Sequence, residues 1–237
     1  MQAIILCGGQ GTRLQAICPD RPKVLAPVAG RPFIEWQVDW LRRGGVTAIH
    51  LAAGHLGEQI AAWAAGQPDV TVSRETTPLG TAGALAAAAG QIGSDSFWVL
   101  NGDTLLPGLD FQGLEKGAAH RSKDWKLEVA VTRTENAGRF GTVAFDAARR
   151  ITAFREKGAP DAGWINGGVY RVPRAALTAI GPARPGSLET AVFPALAAAG
   201  RLYALPTEPP LLDMGTAEGL AVMERYLQSA QRPEASS

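Results

Sequence analysis

The chain has 237 residues, 46% hydrophobic and 19% charged, with a mean hydropathy near zero, which excludes disorder, fibrous repeats and disulfide-held miniature scaffolds. Lysine and arginine number 23 against 22 aspartate and glutamate, a net charge of +1 without blocks of like charge, so no nucleic-acid stripe and no anionic-membrane footprint is encoded. Two cysteines, Cys7 and Cys18, without C-x-x-C spacing exclude a zinc ribbon and fit a reducing cytoplasm.

Gln2 to Cys7 is a short apolar run that stops at Gly8-Gly9. It lacks a basic leader and is far shorter than the ~20 residues of a membrane span, so it reads as a buried first strand rather than a signal or an anchor. Pro32 to Arg43 carries Ile34, Val38 and Leu41 at helical spacing and ends at Gly44-Gly45, which predicts a helix. Ala48–Ala53 then reads as strand, 56–65 as helix, 70–73 as strand, 83–89 as helix and 97–100 as strand. Strand and helix in alternation predict an α/β fold, a Rossmann-like and mostly parallel sheet flanked by helices, with ligands at the carboxyl ends of the strands.

After Leu127 the texture changes. Residues 127–132, 142–145, 151–154 and 165–172 read as strands with short connections, a mixed or antiparallel subregion. Residues 188–199 read as helix, 203–205 as strand, and Thr216 as the cap of a last helix running to Gln228, with Glu218 in its first turn. The sequence shows no repeat and no linker, so 1–230 is expected to be one domain with halves 1–126 and 127–230, and 231–237 a frayed tail.

The first chemical constellation is Gly8-Gly9-Gln10-Gly11-Thr12-Arg13-Leu14, directly after the first strand. Glycines there let backbone N–H groups approach phosphate oxygens, and Arg13 adds a forked cation. Leu14 stands where the dinucleotide fingerprint needs a third glycine, and no Gly-Lys-Ser/Thr occurs, so neither named phosphate motif fits. Pro22-Lys23-Val24-Leu25-Ala26-Pro27-Val28 follows, with one lysine between prolines that are expected to keep its backbone extended.

Together these two strings resemble the signature of the sugar-1-phosphate nucleotidyltransferases, which join a nucleoside triphosphate to a sugar 1-phosphate and release pyrophosphate. Pro78-Leu79-Gly80-Thr81-Ala82-Gly83 resembles the family's base-contacting loop, Asn101-Gly102-Asp103-Thr104 its metal motif, and Arg139-Phe140-Gly141-Thr142-Val143 part of its sugar pocket. Glu156-Lys157 and Asn166-Gly167-Gly168-Val169-Tyr170 resemble its sugar-phosphate site, and Asp213-Met214-Gly215-Thr216 its second metal carboxylate. The matches run from Leu6 to about Gly219 in family order. Among subfamilies, the strings around Asp103, Asn166 and Asp213 most resemble the manno-heptose 1-phosphate guanylyltransferases.

The resemblance implies the nucleotide-diphospho-sugar transferase fold, with a nucleotide-binding half at 1–126, a sugar-phosphate half at 127–230, and a role in nucleotide-sugar supply for cell-envelope polysaccharide. It implies catalytic Arg13, Lys23 and Asp103, with Mg²⁺ on Asp103 and Asp213. The nucleotide would meet Leu6, Gly8, Gly9, Gly11, Thr12, Arg13, Glu75, Pro78, Leu79, Gly80, Thr81 and Gly102. The sugar phosphate would meet Gly141, Glu156, Lys157, Asn166 and Gly167. Cys7 stands where the family has alanine, a small-for-small change expected to be tolerated. Guanine with manno-heptose is the first choice of substrates; uridine or thymidine with a hexose or N-acetylmuramic acid stays open, as does a non-catalytic nucleotide-sugar sensor.

Other readings fit less well. A glycosyltransferase would show Asp-x-Asp where Asp103-Thr104-Leu105 stands, and a nicotinamide enzyme would need glycine at Leu14. His50, His55 and His120 have no ligand spacing. The helix tryptophans Trp36 and Trp40 are compatible with an interface if exposed, leaving monomer or homo-oligomer open, and Trp164 is a candidate border of the sugar pocket.

Overall fold

The computed structural model of the chain describes residues 1–9, 20–117, 125–135, 137, 140, 142–155, 162–182 and 185–231. Its first half runs β1 (Gln2–Cys7), a 3-10 turn (Lys23–Leu25), a ribbon of β2 (Pro27–Val28) and β3 (Arg31–Pro32), then α1 (Phe33–Arg43), β4 (Ala48–Ala53), α2 (Gly57–Ala64), β5 (Val70–Arg74), α3 (Gly80–Ala88) and β6 (Ser96–Asn101). The chain continues with β7 (Thr104–Leu105), α4 (Phe111–Gly117), β8 (Leu127–Thr134), β9 (Thr142–Phe145), β10 (Ile151–Arg155), β11 (Gly163–Pro173) and α5 (Leu177–Ile180). A π turn (Leu188–Val192) leads into α6 (Phe193–Ala198), and β12 (Leu202–Thr207), β13 (Leu212–Asp213) and α7 (Ala217–Gln231) complete the described chain.

β5, β4, β1 and β6 pair in parallel, in that spatial order. β11 joins the far side of β6 antiparallel, and β8, β9 and β10 extend the sheet antiparallel beyond it. The expected change from parallel to antiparallel sheet therefore falls at the β6–β11 seam. β1 is buried on both faces: Ile4 and Leu6 enter the apolar cluster under α3 and α6, while Ala3, Ile5 and Cys7 enter the cluster under α1. Such double burial is why its sequence is an unbroken apolar run.

Several expectations need correction. Lys23 is not extended. Pro22 and Ala26 are, but Lys23–Leu25 between them closes a 3-10 turn, with Leu25 N–H donating to Pro22 O at 2.8 Å and Ala26 N–H to Lys23 O at 3.0 Å. Proline constrains itself and the residue before it, which leaves the interior of the segment free to turn. Trp36 and Trp40 are not exposed: Trp36 is buried with its indole N–H on Val28 O, and Trp40 stacks edge-on against Phe111. Trp164, whose place beside the sugar pocket stays open, stacks edge-on against Phe145 and packs half-buried against the apolar cluster.

The expected helix 188–199 is divided. Pro194 lacks an N–H and its ring clashes with the carbonyl four residues back, so the chain forms a wider turn before α6 begins. α3 begins at Gly80, before the expected 83, and α7 reaches Gln231, inside the expected tail. As expected, Thr216 caps α7, accepting from Gly219 N–H at 3.1 Å.

Candidate active site

The carboxyl ends of β1 and β6 border a cleft of about 360 Å³. Its wall includes Leu6, Gly8, Gly9, Lys23, Glu75, Pro78, Gly80, Thr81, Gly102 and Asp103, ten of the expected site residues, brought together from five segments. Leu79 lies in the same wall segment and donates its N–H to Glu75 Oε2 at 3.0 Å. Gly11, Thr12, Arg13, Gly141, Glu156 and Lys157 lie outside the described residues.

Lys23 projects from its turn onto Asp103 just beyond β6, and its Nζ lies 2.5 Å from Asp103 Oδ2. Thr104 Oγ1 donates to the other oxygen, Oδ1, at 3.0 Å. Asp213 arrives on β13, which pairs with β7 so that Asp213 stands opposite Thr104, while Met214 N–H donates to Asp103 O at 3.0 Å. The two aspartates therefore occupy neighbouring positions of one ribbon. Asp213 Oδ1 accepts from Gly215 N–H at 2.8 Å. Among the described residues no cluster of three or more His, Cys, Asp or Glu side chains forms. Two carboxylates suit a hard cation that completes its shell with phosphate and water oxygens.

Glu75 follows β5, where its N–H donates to Ala53 O. A Cβ on Gly8 would come within 2.9 Å of Glu75 Oε1, so only glycine lets the carboxylate fold over the end of β1. Oε1 is buried and has no hydrogen-bond partner among the described residues. Burial raises the Glu75 pKa, and the Leu79 N–H offsets this in part. Arg74 pairs with Glu58 at 3.2 Å on the surface, so it leaves Glu75 free for the cleft. Gly80 has φ +66, and a Cβ there would lie 2.4 Å from Gly186 O; the loop needs glycine for this crossing as well as for the cleft wall.

Asn166 and Gly167 lie on β11 beside the end of β6. Asn166 Oδ1 accepts from Gly168 N–H at 3.0 Å, and a Cβ on Gly168 would lie 3.1 Å from Asn101 Nδ2. Residue-by-residue reading left out Asn101, Val24 and Ala84, all in the cleft wall. The position of Asn101 at a strand end was the available signal; Ala84 and Val24 carry none, since an apolar wall residue looks like core. Cys7 also lines the cleft, and burial together with the Asp103 charge pushes its thiol far above the usual range.

Residues 2–230 match the family described as Nucleotidyl transferase. Mannose-1-phosphate guanylyltransferase catalytic subunit beta of Xenopus tropicalis is 33% identical over 244 residues, covering 98% of this chain and 66% of that protein. The chain thus spans about two thirds of the length of the guanylyltransferases of this kind that it matches. D-glycero-alpha-D-manno-heptose 1-phosphate guanylyltransferase of Campylobacter jejuni is 35% identical over 173 residues, covering 72% of this chain and 75% of that one. The fold superimposes on HddC from Yersinia pseudotuberculosis with a TM-score of 0.84 at 26% identity, covering 95% of this chain and 99% of the other, and HddC has also been solved complexed with GMP-PN. The strand-end cleft and these likenesses lead to one statement: the chain belongs to the nucleotidyl transferase family.

Proposed function

We propose that the protein transfers a nucleoside monophosphate from a nucleoside triphosphate to a sugar 1-phosphate and releases pyrophosphate, with GTP as the nucleotide and manno-heptose 1-phosphate or mannose 1-phosphate as the acceptor. The observation that carries the choice of GTP is Glu75 Oε1, buried in the cleft wall and without a partner among the described residues. Guanine offers N1–H and the N2 amino group as adjacent donors, and a carboxylate only accepts. Uracil and thymine offer one N–H between two carbonyl oxygens, which a carboxylate repels. The named activities of the guanylyltransferase relatives support the same choice.

In the reaction an oxygen of the sugar phosphate attacks the α-phosphorus of the triphosphate, a new P–O bond forms, and the bond to the β-phosphate breaks as pyrophosphate leaves. The attacking oxygen is already anionic at neutral pH, because the second pKa of a phosphate monoester is ~6, so no general base is required. The chain's work is to hold two anions together and offset their repulsion. Lys23 lies in the cleft wall beside Asp103, where its ammonium can move onto phosphate as substrate enters. Asp103 and Asp213 would hold Mg²⁺, which supplies positive charge to the phosphate oxygens in the transition state. Arg13 is assigned to the triphosphate, and Glu156 and Lys157 to the sugar phosphate, on their motifs.

Mass spectrometry of the product tests this reading. Incubation with GTP, Mg²⁺ and each of the two acceptors should give a GDP-sugar and one pyrophosphate per product. GTP binding without product from either acceptor would favour the non-catalytic sensor.

A further inference from the structure

Tyr170 and Glu189 link Thr81, in the cleft wall, to Asn166 on β11, and the chemistry above makes no use of them. Tyr170 is fully buried on β11. Its hydroxyl donates to Glu189 Oε1 at 3.2 Å and accepts from Asn166 Nδ2 at 3.0 Å. Glu189 Oε2 in turn accepts from Thr81 Oγ1 at 3.3 Å and from Ser187 Oγ at 2.9 Å. The segment carrying Glu189 is also stitched to the nucleotide loop through its backbone: Gly186 N–H donates to Leu79 O at 2.9 Å, Ala82 N–H to Gly186 O at 3.0 Å, and Leu188 N–H to Thr81 Oγ1 at 2.8 Å.

Donor counting places the hydroxyl protons of Tyr170 and Thr81. A carboxylate cannot donate, so the single phenolic proton of Tyr170 goes to Glu189 and the single hydroxyl proton of Thr81 goes there too. With its proton committed, the Tyr170 oxygen can only accept, from Asn166 Nδ2 and from the Asn101 side chain, while the donor-only Gly168 N–H takes Asn166 Oδ1. The Asn166 amide is thus held at one end by Gly168 N–H and at the other by Tyr170, whose hydroxyl Glu189 orients, and Glu189 also holds Thr81 on the nucleotide loop. A buried network whose hydroxyl protons are placed is stiff, and a shift at one end is felt at the other.

We propose that Tyr170 and Glu189 are positioning residues that couple the nucleotide loop to the sugar-phosphate side, so that binding of either substrate tightens binding of the other. This rests on the assignment of the loop around Thr81 to nucleotide and of Asn166 to sugar phosphate.

The test uses a GTP analogue with a methylene group between its α- and β-phosphates, which binds but does not react. Calorimetry with Mg²⁺ measures the affinity for mannose 1-phosphate and for manno-heptose 1-phosphate with and without the analogue. In the wild-type chain the analogue should tighten sugar-phosphate binding by about five-fold or more, within the usual range of site coupling. Tyr170→Phe should bring that factor to about one while affinity for the analogue alone changes little. Glu189→Gln should do the same despite its equal size, because an amide nitrogen would then face one of the donors. Either variant folded and coupling as strongly as wild type would overturn the proposal. A wild-type chain that turns over the same substrates but shows no coupling would overturn the bridge and leave the catalytic reading standing. A wild-type chain that binds neither ligand would defeat both.

Discussion

Lys23 Nζ lies 2.5 Å from Asp103 Oδ2, across 80 residues of sequence, in the wall of the cleft between β1 and β6. The lysine side chain is 17% exposed and the aspartate 29%, so the pair is partly shielded from water while still reaching the cleft. On the proposed function this carboxylate would neutralise the cation until phosphate replaces it, and would serve a metal once the cation has moved. Asp103→Asn should therefore lower kcat by about 100-fold or more, the cost of losing charge stabilisation in a closed site. The fold should survive, because asparagine still accepts from Thr104 Oγ1. Pyrophosphate release read beside far-UV circular dichroism checks both halves of the statement.

Glu75→Gln places an amide in the cleft wall where, on the proposed function, guanine would bring donors. GTP use, as kcat/KM, should fall by about 10- to 100-fold, the cost of one mismatched polar contact in a site built for it, and UTP use should change far less. The pH dependence has a definite sign. Burial raises the Glu75 pKa, so its proton-accepting form is lost as pH falls through a value above the ordinary 4.5. Beyond the decline that protonation of the sugar phosphate brings to both, the kcat/KM for GTP should fall further over that window in wild type than in the variant. For stability the sign is opposite: an acid with a raised folded-state pKa favours the fold at low pH, and that contribution is lost as pH rises through the folded-state value. In the absence of nucleotide, Glu75→Gln should melt at or above the wild-type temperature at neutral pH.

Gly80→Ala should be destabilising at the exposed first residue of α3, where alanine is ordinarily harmless. The residue has φ +66, and its new Cβ would lie 2.4 Å from Gly186 O. Strain of this kind costs about 1–3 kcal/mol, or a fall in Tm of several degrees for a domain of this size. The loop also carries Thr81, so KM for GTP should rise with the loss of stability. Thermal melting with and without GTP measures the two effects together.

Cys7 tests the reading of a buried, inert wall residue. Its thiol is pushed far above the usual range by burial and by the Asp103 charge. In a Cys18→Ser background the folded protein should resist iodoacetamide at pH 8, and the denatured protein should react. Cys7→Ala should keep turnover within about three-fold of wild type, since it removes one sulfur and no charge.

The regular elements were legible because their patterns are local. β1 shows as a run buried on both faces, and α1 through Ile34, Val38 and Leu41 at helical spacing. Glycines and charged residues at strand ends pointed to the cleft, since parallel sheets collect ligands there. What escaped depends on distant partners or on backbone detail. The two-residue strands β7 and β13 are too short to carry a period, although they set Asp213 beside Asp103. α4 also went unread, its burial resting largely on Phe111 against Trp40 and Trp98. The π turn before α6 was masked by helical periodicity that Pro194 interrupts. Glu189 reads as a surface charge in the sequence, and only its contacts with Tyr170 and Thr81 give it a place in the site.

The central claim is nucleotidyl transfer with guanine selected by the cleft. The most direct measurement is kcat/KM for Mg²⁺-dependent pyrophosphate release with GTP, UTP, dTTP, CTP and ATP, each against manno-heptose, mannose, glucose and N-acetylmuramic acid 1-phosphates. GTP should lead every other triphosphate by about 100-fold, with a mannose-configured acceptor. UTP or dTTP matching GTP would contradict the role given to Glu75, and no pyrophosphate from any pair would contradict the reaction itself.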